Sequence, residues 1–247
     1  MRKFRLWTIG AILCGVQAFG ATTADPLVLL KKADRARGAA VNGITWQAEV
    51  SSIEDGSSSS VTYIVKVRGN DALAEAIAPA RSKGELILFN DRNLWYFKQG
   101  LRKPVAISPR QKLIGQASNG DIASTNYARD YEGHLVGEES VKGTRAWKLE
   151  LKAKAKNVTY DRIRYWISKK DGVGIRAEFL TVGGQVFKNA EFEYRNVLAS
   201  QGGTIPFISQ MIITDASNPA NQTTLHYVHP KEQNEPAGLF NVNNLIR

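Results

Sequence analysis

From Ile44 to Val228 the sequence is an almost continuous series of short alternating segments divided by turn signals, with no regular exchange of strand-like and helix-like patterns. In "ITWQAEVSS", Trp46, Ala48 and Val50 alternate with Gln47, Glu49 and Ser51, and "VTYIVKVR" sets Val61, Tyr63, Val65 and Val67 on one side. "GELILFNDRNLWYFKQG" reads as two strands joined at Asn90 and Asp91. It is followed by "KPVAIS", "HLVGEESV", "TRAWKLELKAK", "DRIRYWISK", "IRAEFLT", "QVFKNAEFEYRNV", "FISQMIITD" and "TTLHYV". "KKDGVG" and "VGGQ" are tight turns, and "IEDGSSSS" predicts a flexible hairpin loop with a low-complexity serine tip. Parallel neighbours need crossovers of about a dozen residues or more, so these connections specify an antiparallel sheet. A sheet this large must bury one face, and curling around helices achieves that. The expected fold class is therefore α+β, mainly antiparallel β, as a curved sheet or incomplete barrel with helices on its concave side.

Helical signals are few. "DPLVLLKKADRARG" has Asp25 as N-cap, Pro26 at the first helical position, Leu27 and Leu30 on one face and Gly38 as a stop. Helical turns are expected near 109–127, and a short segment around "AGLFNVNNL". Between them lies the most motif-like stretch, "IGQASNGDIASTNYARDY", residues 114–131. Its "GQASNGD" has the glycine spacing of a phosphate loop, yet Asp121 and Ile122 stand where a lysine and a hydroxyl residue are needed. An acid there repels phosphate. The stretch reads instead as a loop entering a short helix across the mouth of the sheet, with Asp121 as N-cap.

The first residues place Arg2, Lys3 and Arg5 before an apolar run from Leu6 to Phe19, followed by small residues. That order is a secretory signal peptide, residues 1–20 with cleavage near 20–24, because a membrane span needs about 20 apolar residues. A single domain, 25–247, follows, and it is expected to be exported. The one cysteine, Cys14, lies in the signal, so the exported chain has no disulfide and no thiol nucleophile. Three of the 33 basic residues and none of the 23 acids lie there too, which leaves a formal charge of +7. An exported basic chain meets anionic membranes and acidic partners before nucleic acid, and no nucleic-acid partner is expected.

Catalytic signatures are missing from the expected places. There is no G-x-S-x-G nucleophile turn. Of the three histidines, His226 and His229 are three apart on a strand, where alternation points them to opposite faces. Acids such as Glu138, Glu139, Glu150 and Asp215 occur on strands that carry solvated charges throughout. No catalytic residue, metal site or cofactor is therefore assigned. A large apolar interior with few convergent polar groups suits holding an apolar molecule.

From Gly84 to Val197 the chain resembles the outer-membrane lipoprotein-sorting, LolA-like, family. The resemblance is carried in order by "KGELILFNDRNLWYF", "ASNGDIASTNYARDY", "GEESVKGTRAWKLELKAK", "YDRIRYWISKKDGVGIRAEF" and "GGQVFKNAEFEYRNV". It implies a half-open barrel of about 11 strands with helices forming a lid over an apolar cavity, as in LolA and LolB. It also implies a monomeric periplasmic carrier whose cargo is the acyl part of a lipoprotein or lipid, passed between an inner-membrane transporter and an outer-membrane acceptor. The alternatives are an accessory module docking a lipid-exporting transporter, or a lipid or ester hydrolase on the same scaffold. Arg68 is a positional candidate for a strand arginine that bonds the lid. Strand parity nominates Trp46, Val50, Tyr63, Val65, Leu86, Leu88, Trp95, Phe97, Trp147, Leu149, Ile163, Tyr165 and Phe179 as cavity residues. Leu27, Leu30, Asn119, Gly120, Asp121, Ile122 and Tyr127 are expected in the lid. A one-residue slip would exchange the faces, most easily where both are apolar, as in "LILF".

Overall fold

A two-residue turn sets the first register. Asp55 and Gly56 both take positive φ, 49° and 78°, the twist that matches a hairpin, so β1 (Ile44–Glu54) runs directly into β2 (Ser57–Arg68). The serine run expected as a loop is therefore strand: Ser57 pairs with Glu54 and Ser60 with Ser51. These relations come from a computed structural model that describes residues 24–39, 43–123, 126–200 and 203–246. The expected signal segment, 1–20, lies outside the described residues.

The meander continues through β3 (Asp71–Ala78), β4 (Leu86–Asn90), β5 (Asn93–Phe97) and β6 (Val105–Ile107). A small ribbon, β7 (Lys112–Ile114) with β8 (Ala117–Ser118), precedes a second meander. That meander comprises β9 (Tyr131–Val141), β10 (Thr144–Ala153), β11 (Arg162–Ser168), β12 (Gly174–Leu180) and β13 (Val186–Glu193). A second ribbon, β14 (Asn196–Ser200) with β15 (Gly203–Phe207), leads to β16 (Gln210–Asp215) and β17 (Gln222–Glu232). Among the described residues the main sheet has 13 strands in the order β6-β5-β4-β3-β2-β1-β17-β16-β13-β12-β11-β10-β9, and every pairing is antiparallel. This exceeds the expected strand number partly through β3, "DALAEAIA", an alanine-rich segment of low strand propensity held in place by neighbours on both sides.

β6 and β9 end this order and do not pair with each other, so the sheet is not closed. It is nevertheless curled, because Leu94 of β5 and Tyr131 of β9, near opposite ends of the order, share one hydrophobic core. Helix α1 (Pro26–Arg35) is capped as expected, with Asp25 accepting from the Leu27 amide at 2.8 Å. Its buried stripe is Leu30, Ala33 and Asp34, while Leu27, expected on one face with Leu30, is 45% exposed at the start of the helix. The short helix α2 (Tyr127–Asp130) packs against α1 through a bond from the Ala128 amide to Asp34 at 2.8 Å. It also ties the start of edge strand β9 to the β4–β5 turn. Arg92 in the β4–β5 turn reaches Asp130 at 3.0 Å, and Arg129 reaches Asp91 at 2.7 Å.

Candidate ligand-binding interior

Strand alternation delivers most of the nominated side chains to the inner core. Trp46, Val50, Tyr63, Val65, Leu149, Ile163, Tyr165 and Phe179 are all buried there, and Trp147 packs against them half-buried with the Lys169 ammonium 3.9 Å from its ring centre. Aromatic contacts order the interior: Tyr160 stacks on Phe179 at 3.7 Å, and Trp46 meets Phe207 at 5.7 Å. Four nominations fall on the other face. Leu86, Leu88, Trp95 and Phe97 pack outward with Leu73, Phe240 and Leu245, while Ile87, Phe89, Leu94 and Tyr96 face inward. The cause is the C-terminal segment, whose short helical turns at Ala237–Phe240 and Val242–Asn244 cover the outer face of β3 to β5. Both faces of these strands are therefore apolar, and parity alone could not choose between them.

Residues 108–123 cross the interior as a strap held by polar bonds. The Gln116 amide donates to Thr223 Oγ1 at 2.7 Å, and Lys188 Nζ donates to the Gln116 carbonyl at 2.6 Å. At the rim, Lys112 pairs with Glu54 at 2.7 Å, and Arg110 makes two 2.7 Å bonds to Asp161. Asp121 is buried and accepts from the Ser118 amide and the Tyr160 hydroxyl, each at 2.8 Å. Burial raises its pKa, with nearby Lys188 opposing the shift. Asp121 thus closes a single helical turn, Asn119–Asp121, from its last position. It does not cap a following helix, and α2 is capped by Asn126 instead. The amides of Asn119 and Gly120 bond to the Gln111 and Pro109 carbonyls at 2.8 and 3.0 Å, which leaves no free amide cradle for phosphate there. Ile122 and Tyr127 are buried against the core.

Two hollows flank this strap. One of about 80 Å³ is bounded by Phe89, Leu94, Gly120, Asp121, Tyr127 and Tyr160. The other, about 340 Å³, is bounded by Tyr63, Ile87, Tyr96, Ile107, Leu113 and Asn119. The strap therefore packs Leu113, Ile114, Ala117 and Ile122 on the apolar core, with open space to either side that is also rimmed by charge, Arg92 and Asp130 at the first hollow and Glu85 and Lys112 at the second.

A polar group that alternation does not reveal sits inside this core. Arg37 is 4% exposed, its guanidinium carbon 4.5 Å from the Phe192 ring centre and 5.4 Å from that of Tyr127. Among the described residues, its Nε and Nη1 have no hydrogen-bond partner, nor do Tyr165 OH, Tyr194 OH and Asp34 Oδ1. Burial pushes the Asp34 carboxyl up to about 7, against the lowering effect of the Ala128 and Tyr127 amides and of Arg37. A signal existed in the sequence: Leu30, Ala33, Asp34 and Arg37 follow the spacing of one helix face, and two of the four are charged. Among the described residues no group of three or more His, Cys, Asp or Glu side chains could hold a metal ion.

Residues 68–247 match a family model described as that of an uncharacterized protein. No curated protein matches the sequence. Among solved structures, a LolA superfamily protein from Nitrosomonas europaea is 27% identical, with 90% of this chain and 99% of that one covered and a TM-score of 0.79. The chain belongs to the family of that model, and its fold is LolA-like. A domain described as an outer membrane lipoprotein-sorting protein from Vibrio parahaemolyticus shares the fold at 20% identity, with 90% and 98% of the two chains covered and a TM-score of 0.74. A DUF1329 family protein from Desulfovibrio piger does so at 19% identity, with 90% and 100% covered and a TM-score of 0.75. In this LolA-like chain the positional candidate Arg68 bonds the Glu235 carbonyl at 2.9 Å, so it holds the C-terminal segment and not the strap.

Proposed function

We propose that this LolA-like protein is an exported, monomeric, non-enzymatic carrier that shields the acyl chains of a lipoprotein or lipid between the inner and outer membranes. On this reading the signal at 1–20 delivers a single domain to the periplasm, and an inner-membrane transporter and an outer-membrane acceptor are its partners. The observation that carries it is the strap at 108–123, bonded by polar groups that water can replace yet resting on an apolar surface between two hollows. Lifting it exchanges those bonds for bonds to water and joins the hollows over the inner face of β3 to β5. Each CH₂ then buried contributes about 0.8 kcal/mol, which is the gain an acyl chain needs to cross water. The test is purification without detergent, followed by lipid extraction and mass spectrometry. Co-purifying lipid, or uptake of a fluorescent fatty acid displaced by phospholipid, is expected; neither appearing would overturn the reading.

One observation favours a second reading, a module that docks a membrane transporter. The outer face carries a groove of about 740 Å³ between the C-terminal segment and β3 to β5, bounded by Leu73, Leu86, Phe97, Leu239 and Ile246. A photoreactive residue at position 239 would then cross-link to a membrane protein in intact cells even in a variant that takes up no fatty acid, whereas the carrier reading predicts that such adducts are lost together with lipid uptake.

A further inference from the structure

The interior that would shelter acyl chains also holds a charge. Arg37 stays ionised under all ordinary conditions, and among the described residues its Nη2 bonds the soft Met211 Sδ at 3.7 Å. Its electrostatic neighbours are the phenols of Tyr127, Tyr165, Tyr194 and Tyr227. Among the described residues Nε and Nη1 have no close hydrogen-bond partner, nor do the Tyr165 and Tyr194 hydroxyls, although the guanidinium interacts with the Tyr127 and Tyr165 phenols. A fully apolar cargo leaves this arrangement as it is, with buried donors unsatisfied, and folds avoid that where they can.

Every member of the cluster is a donor or can become one. The guanidinium offers only N–H groups, and the phenols can turn theirs toward a common acceptor. Asp34 Oδ1 faces no donor, and its carboxyl, pushed up to about 7 by burial, is mainly protonated in mildly acid conditions. An acceptor-only group with negative charge satisfies such a set, and an oxyanion does so with charge-assisted bonds.

We propose that Arg37, with the Tyr165 and Tyr194 hydroxyls, is an internal headgroup site for a single-chain anionic amphiphile that enters oxyanion first. The inference rests on the carrier reading and narrows its cargo. The shared chemistry is one oxyanion on one chain, either a fatty-acid carboxylate or the phosphate of a lysophospholipid. Tyr127 lies between the site and the outside: its ring is beside Arg37, meets Tyr165 edge-on at 5.3 Å, and also borders the 80 Å³ hollow. Displacing that one ring would join the site to this hollow, where the first methylenes of the trailing chain would meet Phe89 and Leu94 inside a rim of Asp91, Arg92, Arg129 and Asp130.

The test is displacement of cis-parinaric acid from the purified, lipid-stripped protein by oleate, 1-oleoyl-lysophosphatidate and oleyl alcohol, which share a chain length. At least one anion should bind about tenfold or more tightly than the alcohol, the effect of a charge-assisted bond. Preference for oleate alone assigns a fatty acid, and for lysophosphatidate alone a phospholipid head. Arg37→Met should lower the favoured anion to the affinity that the wild type has for the alcohol. Joint replacement Tyr165→Phe and Tyr194→Phe removes only hydroxyls and should weaken the anion several-fold. Equal binding of all three ligands by the wild type, or unchanged anion affinity in a folded Arg37→Met protein, overturns the headgroup site and leaves the carrier reading standing. Failure of the parinaric acid itself to bind overturns the headgroup site, and together with the absence of co-purifying lipid it overturns the carrier reading.

Discussion

Asp34 is the residue at which fold and site compete most directly. Its carboxylate holds α2 through the Ala128 amide, yet burial moves its pKa from 3.8 to about 7. The folded state thus prefers the protonated acid. The stability this contributes is complete below the unfolded pKa near 4 and is lost as pH rises through about 7, since the unfolded chain ionises first. Asp34→Asn keeps an acceptor and cannot ionise, so its melting temperature should fall less than that of the wild type between pH 4 and 7. The difference in slope corresponds to a few kcal/mol at most, on the order of one to three pKa units. Asp121, also raised by burial, acts in the same direction, so the variant should flatten the profile without levelling it. Identical slopes in thermal unfolding from pH 4.5 to 7.5 would show that Asp34 is not held as described.

The strap and the seam are where elements decide function. Gly115, in the turn between β7 and β8, has φ +51°, and a Cβ added there would run into the side chains of Ser52 and Thr223. Gly115→Ala should therefore lift the ribbon from β1 and β17. Amide exchange across 108–123 should accelerate, and a fluorescent fatty acid should associate faster; unchanged exchange would mean that the ribbon is not seated by these contacts. The seam bond between Arg92 and Asp130 is only partly buried, so a double-mutant cycle of Arg92→Ala with Asp130→Asn should return about 1 kcal/mol or less. The strap was only partly legible in the sequence. Small and turn-forming residues marked a connection, and Asp121 in the phosphate-loop position excluded phosphate. What Asp121 does instead depends on Tyr160 and Lys188, both distant in sequence, and no local signal reports those contacts. α1 shows the same limit, because its cap and stop were readable while the inward direction of Arg37 required knowing what α1 packs against.

At the scale of the molecule, the sheet works as a wall with two unlike apolar faces. Alternation assigned Trp46, Val50, Tyr63 and Val65 to the inside because β1 and the end of β2 carry polar or half-exposed residues on the other face. It failed in β4 and β5, where Phe240 and Leu245 bury the outer face and the pattern no longer carries a sign. Antiparallel order and an incomplete sheet were readable from segment spacing, and the family resemblance from five motifs in order; the covering of one half by the chain's own C-terminus was not, since "AGLFNVNNL" contains nothing that names its docking strand. Two adjacent residues of β5 separate the faces experimentally. Trp95 belongs to the outer cluster, and Tyr96 borders the inner 340 Å³ hollow. Trp95→Ala should lower stability by about 2–3 kcal/mol in urea unfolding through lost packing, with fatty-acid affinity unchanged. Tyr96→Ala should cost less stability and alter probe affinity by several-fold, because it reshapes the surface under the strap. The opposite pattern, affinity lost with Trp95 and kept with Tyr96, would place the ligand on the outer face beneath the C-terminal segment and make the groove there the binding site.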